Sequence, residues 1–315
     1  MSGSLRHERL RRRAEMLSRL RTFFAERGFL EVETPLMDDE VIPELHIEPF
    51  AVADRERHSY FLQASPELHM KRLLAEGLPA IYQVTRSFRR GERAAQHNPE
   101  FTMVEWYRVG DSMDASIRLL DELVQVVADS KPATRTTYAE AFRRHADVDA
   151  HGASISDLAA ATSRLGVDVP ETLARADRDE WLNLLLATRV EPKVGSAGPE
   201  LLVDYPASQS ALAATTIREG VEVAERFELY WRGVELANGY HELTDATALR
   251  ARLEAVNAAR ESDGRLTLPL PERLLAAMES PGLPPCAGCA LGFDRLVMLA
   301  CGSQTIDDVM AYPQR

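Results

Sequence analysis

Phe88-Arg-Arg-Gly-Glu-Arg-Ala-Ala-Gln-His-Asn-Pro-Glu-Phe101 carries the fold: its polar centre, Arg89 to Pro99, separates two runs that read as strands, Ala80 to Phe88 and Glu100 to Val109. Such a pair joined by one loop is antiparallel. Upstream, Ser65-Pro66-Glu67 has the pattern of a helix start, with Ser as cap, Pro at the first helical position and an acid in the first turn, and the helix is expected to run through Leu68, Leu73 and Leu74 to Gly77. Further back, Leu10, Ala14, Leu17, Leu20 and Phe24 recur at helical spacing from His7 to Arg27, with Gly28 as a stop. Phe29 to Pro35 then alternates like a strand that Pro35 ends or confines to a sheet edge. Downstream, a helical pattern spans Ser112 to Val127, and the Ala-rich stretch from about Thr137 to Glu200 is helical too, most apolar at Trp181 to Leu186. Strands resume at Leu201 to Tyr205 and Phe227 to Leu236, and a Gly-containing strand precedes a last helix from Asp294 to Cys301. The expectation is an α/β (α+β) fold, a mostly antiparallel sheet flanked by helices, in one domain over 1–315 with a helix-rich insertion at about 112–200.

A chain of 315 residues with 45% hydrophobic content buries a substantial core. Arg6, Arg9, Arg11, Arg12 and Arg13 have no apolar run behind them, so neither a secretory leader nor a spanning helix is expected, and the protein reads as soluble and cytoplasmic. Cys286-Ala-Gly-Cys289 lacks the second ligand pair of a structural zinc site, and Cys301 is the third cysteine, too few for a disulfide framework. The net charge of -12 disfavours wrapping a long nucleic acid. A local basic cluster, Arg86, Arg89, Arg90 and Arg93, stands against it; a solvated charged loop gives the same pattern.

Three segments carry candidate chemistry. If Phe227 to Glu235 is a hairpin turning at Trp231-Arg232, Glu228 faces Glu235, and two opposed carboxylates are best tolerated around a cation. Mg2+ on nucleotide phosphates suits so few oxygen ligands, although two solvent-facing glutamates would look the same. Asn238-Gly239-Tyr240 and Glu242 follow, adding an amide and a third carboxylate whose roles spacing alone does not divide. Last, Gly292-Phe-Asp-Arg295 puts an arginine at a helix start, where a guanidinium clamps phosphate.

Together these segments resemble the three ordered motifs of the class II aminoacyl-tRNA synthetases. Gly28-Phe-Leu-Glu-Val-Glu-Thr-Pro35 is similar to motif 1, Phe88-Arg89 through His97-Asn98-Pro99-Glu100-Phe101 to motif 2, and Gly292-Phe-Asp-Arg295 to motif 3. His97 to Met103 and Glu235-Leu-Ala-Asn-Gly-Tyr-His-Glu242 resemble the lysine-specific subgroup. Within it, Ser65-Pro-Glu-Leu-His-Met-Lys-Arg-Leu-Leu74, the run through Tyr107 and Asp204 to Ser210 resemble the elongation factor P β-lysine ligases along nearly the whole chain.

That resemblance implies an ATP- and Mg2+-dependent ligase in which Arg89 and Arg295 are catalytic, Arg89 at the α-phosphate and Arg295 at the γ-phosphate. Phe101 would stack on adenine, with Arg90, Gly91, Glu92, His97, Asn98, Glu235, Leu236 and Gly292 also at the nucleotide. Glu228 and Glu235 would take Mg2+. Ser65, Pro66, Glu67, Glu105, Tyr107, Asn238, Glu242 and Ala290 would surround the amino acid, lysine or β-lysine. Motif 2 commonly reads Arg-x-Glu, whereas Arg89-Arg90-Gly91-Glu92 places the acid one position later, leaving the adenine contact between the Gly91 backbone and Glu92. Lysyl-tRNA synthetases usually carry Gly at the position of Ala290 and Ala at that of Ser65, so a fuller pocket wall would favour a shifted amino group. The synthetases place an OB-fold before the motif 1 helix; here that helix starts within the first ten or so residues, so elongation factor P rather than tRNA is the expected acceptor, docked near Arg86, Arg90 and Arg93. Homodimerisation through motif 1 and no membrane partner are further expectations. Ligation to tRNA or another acceptor, and a non-catalytic paralogue acting by binding, are the alternatives.

Overall fold

The computed structural model describes residues 3–53, 59–170, 173 and 177–314. In chain order, α1 (Gly3–Glu26) is followed by β1 (Leu30–Glu31), β2 (Met37–Asp38), β3 (Ala51–Ala53), β4 (Ser59–Leu62) and α2 (Glu67–Ala75). Next come β5 (Ala80–Phe88), β6 (Glu100–Val109), α3 (Met113–Ala128), β7 (Thr134–Thr137), α4 (Tyr138–Ala146), α5 (Ile155–Arg164) and α6 (Arg178–Leu185). The remainder is β8 (Glu200–Pro206), β9 (Thr215–Arg218), β10 (Val221–Trp231), β11 (Val234–His241), α7 (Ala246–Ser262), α8 (Glu272–Ala277), β12 (Cys286–Gly292) and α9 (Phe293–Ala300). The described residues form two compact units, one from Met1–Ser112, Val126–Asp129 and Glu242–Arg315, the other from Met113–Gln125 and Ser130–His241.

In the first unit β1 lies parallel to β5, while β5 with β6 and β6 with β12 are antiparallel, as the long polar loop predicts. The register sorts side chains onto two faces, because directly opposite residues share one. One face carries Tyr82 opposite Trp106. Phe24 of α1 stacks on Tyr82 with ring centroids 4.4 Å apart and lies 5.5 Å from Trp106. The buried stripe of α1 is Met16, Leu20, Phe23 and Phe24; it is rotated from the expected one, leaving Ala14 exposed, since the bulkier Met16 and Phe23 reach the sheet. The opposite face carries Phe101, Met103, Glu105 and Tyr107 along β6, with Gly292, Ala290 and Gly288 of β12 opposite the last three. A strand of small residues beside a strand of large ones leaves room above that face.

The second unit orders its strands β11-β10-β8-β7, with β9 on the far part of β10 and only β7 and β8 parallel. Its helices start on side chains that satisfy their first N–H groups: Thr137 with Glu140 and Ser154 with Asp157 form capping boxes, and Asp177 caps α6. They bury Tyr138, Phe142, Leu158, Leu182 and Leu185 against Leu202, Tyr205 and Tyr230. The β10–β11 hairpin turns at Arg232-Gly233, both at positive φ (54° and 71°), not at Trp231-Arg232 as the sequence suggests. A bulge between Leu229 and Tyr230 shifts the register again, so Glu228 faces Asn238 and Glu235 faces Tyr230. No helix among the described residues is long and apolar enough to cross a membrane.

Candidate active site

Strand alternation and helix spacing converge on one acidic pocket in the first unit. On β6, Glu105 and Tyr107 point the same way, two residues apart, and the Tyr107 hydroxyl donates to Glu105 Oε1 at 2.6 Å. Ser65 donates to Glu105 Oε2 at 2.7 Å and accepts the Glu67 N–H at 3.1 Å. The helix therefore begins at Glu67, one residue later than expected, with Pro66 at the cap position. Four residues along α2, on the same helix face, Lys71 turns its ammonium into the pocket, against Glu67 Oε1 and 2.7 Å from Glu242 Oε2. Glu242 follows β11 directly, and its N–H donates to the Cys286 carbonyl at 3.0 Å. Opposite Tyr107, Gly288 leaves no space for a side chain: a Cβ there would sit 2.2 Å from the Tyr107 ring and 2.8 Å from Glu242 Oε1. Ala290 is directly opposite Glu105.

Burial sets the protonation of this cluster. Glu105, Lys71 and Glu242 are 1%, 2% and 2% exposed, too dry for ions that lack partners. Burial and, after it, the Glu67 carboxylate push Glu105 up to about 8. Burial pushes Glu242 up to about 7 against the pull of Lys71. Burial also works to discharge Lys71, but Glu242 and Glu67 outweigh it and hold the ammonium firmly protonated.

The other end of the same face is basic and aromatic. The Arg89 guanidinium lies over the Phe101 ring, 5.1 Å from its centroid, with Glu92 Oε1 3.8 Å from Nη1. Arg89 Nε is buried without a hydrogen-bond partner among the described residues, which fits a guanidinium built to meet an anionic ligand. Arg295, at the start of α9, donates to the Gln96 carbonyl (3.1 Å) and from Nη2 to His97 Nε2 (2.6 Å). Only an uncharged imidazole accepts that bond, and burial, with Arg295 next, lowers the His97 pKa. Asn98 is buried, donating to the Glu100 carbonyl and accepting from Gln314 N–H. The Arg90 N–H donates to the Glu48 carbonyl, and Gly91 has φ of 82°, so the loop turns away from β5 there. The start of α9 beside Gly292 is fixed by Asp294, which pairs with Arg13 of α1 at 2.5 Å and accepts the Thr102 N–H at 2.6 Å.

The second unit holds the remaining expected residues. Glu228 accepts from the hydroxyls of Tyr205 and Tyr230 and from Arg226 Nη2, the last two at 2.5 Å. Its carboxylate thus takes part in a buried ion pair and, contrary to the expected hairpin register, does not face Glu235. Glu235, facing Tyr230, is half-buried, Leu236 is buried, and Asn238 donates to the Tyr240 hydroxyl at 3.0 Å. No group of three or more potential ligand side chains that could hold a metal occurs among the described residues. Cys286 and Cys289 are buried and not disulfide-bonded, and their separation of three along β12 directs them to opposite faces.

Sequence reasoning missed Lys71, Arg226 and Gly288. Two were signalled: Glu67 and Lys71 are an i, i+4 pair, and Arg226 and Glu228 share a strand face. The closeness of Gly288 to Tyr107 depends on long-range register and had no local signal.

The chain matches the class II tRNA synthetases (D, K and N) along residues 3–315. It is 43% identical over 309 residues to proteins of Salmonella paratyphi B, Salmonella schwarzengrund and Salmonella arizonae, each named elongation factor P--(R)-beta-lysine ligase, covering 96% of this chain and 94% of each relative.

The raised Glu105 pKa makes a stability prediction. Between the ordinary glutamate value and about 8 the folded chain binds a proton at Glu105 that the unfolded chain has lost, so folding stability falls as pH rises through that window. Urea unfolding from pH 5 to 8 should show a shallower fall for Glu105→Gln than for the wild type; parallel curves would contradict it.

Proposed function

The chain belongs to the class II tRNA synthetase family (D, K and N), and on that premise we propose that it activates (R)-β-lysine, or lysine, with ATP and transfers it to a lysine of elongation factor P. The observation that carries the reading is the shared face of β6. Phe101 and Glu105 lie four residues apart on it, about 13 Å along the strand, a span that suits an aminoacyl-adenylate with its base at Phe101 and its ammonium groups among Glu67, Glu105 and Glu242. The relatives' shared name supplies the amino acid and acceptor.

In the first step a carboxylate oxygen of the amino acid attacks the α-phosphorus of ATP, the bond to the bridging oxygen of the β-phosphate breaks, and pyrophosphate leaves. The carboxylate is already a nucleophile, so no general base is needed. The chain supplies position and charge: Arg89 leaves Phe101 to adenine and meets the α-phosphate and the substrate carboxylate, while Arg295 attracts the leaving pyrophosphate. His97, neutral and held by Arg295, keeps that guanidinium aimed. In the second step the acceptor's unprotonated ε-amine attacks the activated carbonyl carbon, the carbon–oxygen bond to AMP breaks, and the surplus amine proton passes to solvent. Mg2+, when bound, would neutralise phosphate charge, and Glu228 and Glu235 are our candidates to hold it. Exposed Arg86, Arg90 and Arg93 beside the nucleotide end are our candidates for docking an acidic acceptor, and the motif 1 segment from Gly28 to Pro35 is our candidate for a homodimer contact.

Incubation with ATP, Mg2+, (R)-β-lysine and purified elongation factor P should add one β-lysyl group to a single lysine, read by intact-mass and peptide mass spectrometry. Aminoacylated tRNA in a parallel reaction, with the factor unmodified, would overturn the acceptor. Because Ala290 stands opposite Glu105, Ala290→Gly should shift pyrophosphate-exchange preference toward α-lysine by about 1 to 3 kcal/mol, roughly 5- to 150-fold; an unchanged ratio would contradict its role.

A further inference from the structure

The pocket assigned to the substrate's ammonium groups already contains one, that of Lys71. We propose that Lys71 is a positioning residue, a resident cation that neutralises one of three pocket carboxylates, so that the two remaining charges match a diamine and Glu105 must give up a proton when it enters. This rests on the amino-acid substrate proposed above and concerns how the pocket recognises it.

The geometry supports a fixed cation. Lys71 Nζ touches Glu67 and lies 2.7 Å from Glu242 Oε2, and it stands 5.9 Å from the centroid of the Tyr107 ring. Glu242 meets the Lys71 ammonium and the Gly288 backbone N–H, and a carboxylate, with about four acceptor sites, keeps capacity for a further donor. Among the described residues Glu105, by contrast, accepts hydrogen bonds from the hydroxyls of Ser65 and Tyr107. Gln83 of β5 and Ala290 of β12 stand directly opposite it, and Glu67 and Lys71 of α2 act on its charge. Cys286 stays a thiol, since burial and Glu242 push it up.

Charge counting follows. With the Lys71 ammonium offsetting one of the Glu67 and Glu242 carboxylates and Glu105 holding a proton, the pocket carries at most one net negative charge. A diamine brings two positive charges, and its own carboxylate goes to Arg89. Full pairing requires Glu105 ionised, so substrate entry expels its proton. The burial that raises Glu105 to about 8 keeps that proton in place at neutral pH until the substrate arrives. A purely structural Lys71, tying α2 to the segment after β11, would affect stability without touching proton balance or amino-acid KM.

The test titrates (R)-β-lysine into the full chain at pH 7 by calorimetry in buffers of differing ionisation enthalpy. One proton or somewhat more should be released per site, falling toward none by about pH 9, and Glu105→Gln should bind more weakly with about one proton fewer released. Proton-neutral binding by the wild type would overturn the proposal. In pyrophosphate exchange, Lys71→Ala should raise the amino-acid KM by about tenfold or more while the ATP KM stays within about twofold, with added n-propylammonium partly restoring it and Lys71→Arg retaining most of it. An unchanged amino-acid KM, or equal loss toward both substrates without rescue, would reduce Lys71 to a structural tie. Should Lys71→Ala not fold, the wild-type and Glu105→Gln titrations still decide. Failure of both β-lysine and lysine to bind would instead overturn the functional reading, and this inference with it.

Discussion

A buried ammonium is tolerable only where carboxylates surround it, and Lys71 between Glu67 and Glu242 is the constraint on which the first unit's site depends. It joins the second turn of α2 to the segment after β11, across from Tyr107 on β6. Removing either acid leaves the ammonium under-compensated in a dry site, and removing the lysine leaves carboxylates crowding one another. The three groups therefore hold each other in place before any ligand arrives, which is what a preorganised recognition site requires. The Glu105 carboxyl, held by the hydroxyls of Ser65 and Tyr107, is the member that burial pushes highest, to about 8.

The sheet makes that constellation reachable. Gly288, Ala290 and Gly292 on β12 keep the surface low beside Tyr107, Glu105 and Met103, and the ring of Tyr107 lies so close to Gly288 that even a methyl would displace it. On the reverse face, Tyr82 and Trp106 hold α1 by aromatic packing. Arg13 from that same helix reaches Asp294, which also accepts the Thr102 N–H. The N-terminal helix is thus tied to the start of α9, where Arg295 begins its reach to His97. Packing on one face and chemistry on the other share the same three strands.

The motif-bearing segments were legible because their physics is local. Alternation in Ala80 to Val109, broken by a polar loop with Gly and Pro, specifies an antiparallel pair whatever the rest of the chain does. The hairpin register was not legible. Arg232 takes a positive φ usually left to glycine, moving the turn by one residue, and a bulge moves the pairing again; neither leaves a local mark. Glu228 accordingly read as facing Glu235, whereas it pairs with Asn238 and shares its face with Arg226, two residues earlier. Lys71 escaped notice for a different reason: an i, i+4 Glu–Lys pair usually decorates a solvated helix face, and only the tertiary fold reveals that this one points inward.

The central claim is that one face of β6 reads both halves of an aminoacyl-adenylate, with Lys71 remaining as a fixed third cation. A crystal structure of the chain with a non-hydrolysable β-lysyl-adenylate analogue tests it most directly. The account predicts adenine stacked on Phe101, Arg89 on the phosphate mimic, the two ammonium groups against Glu67, Glu105 and Glu242, and Lys71 still between Glu67 and Glu242. An analogue bound elsewhere, or one whose ammonium group displaces Lys71 from that position, would contradict it.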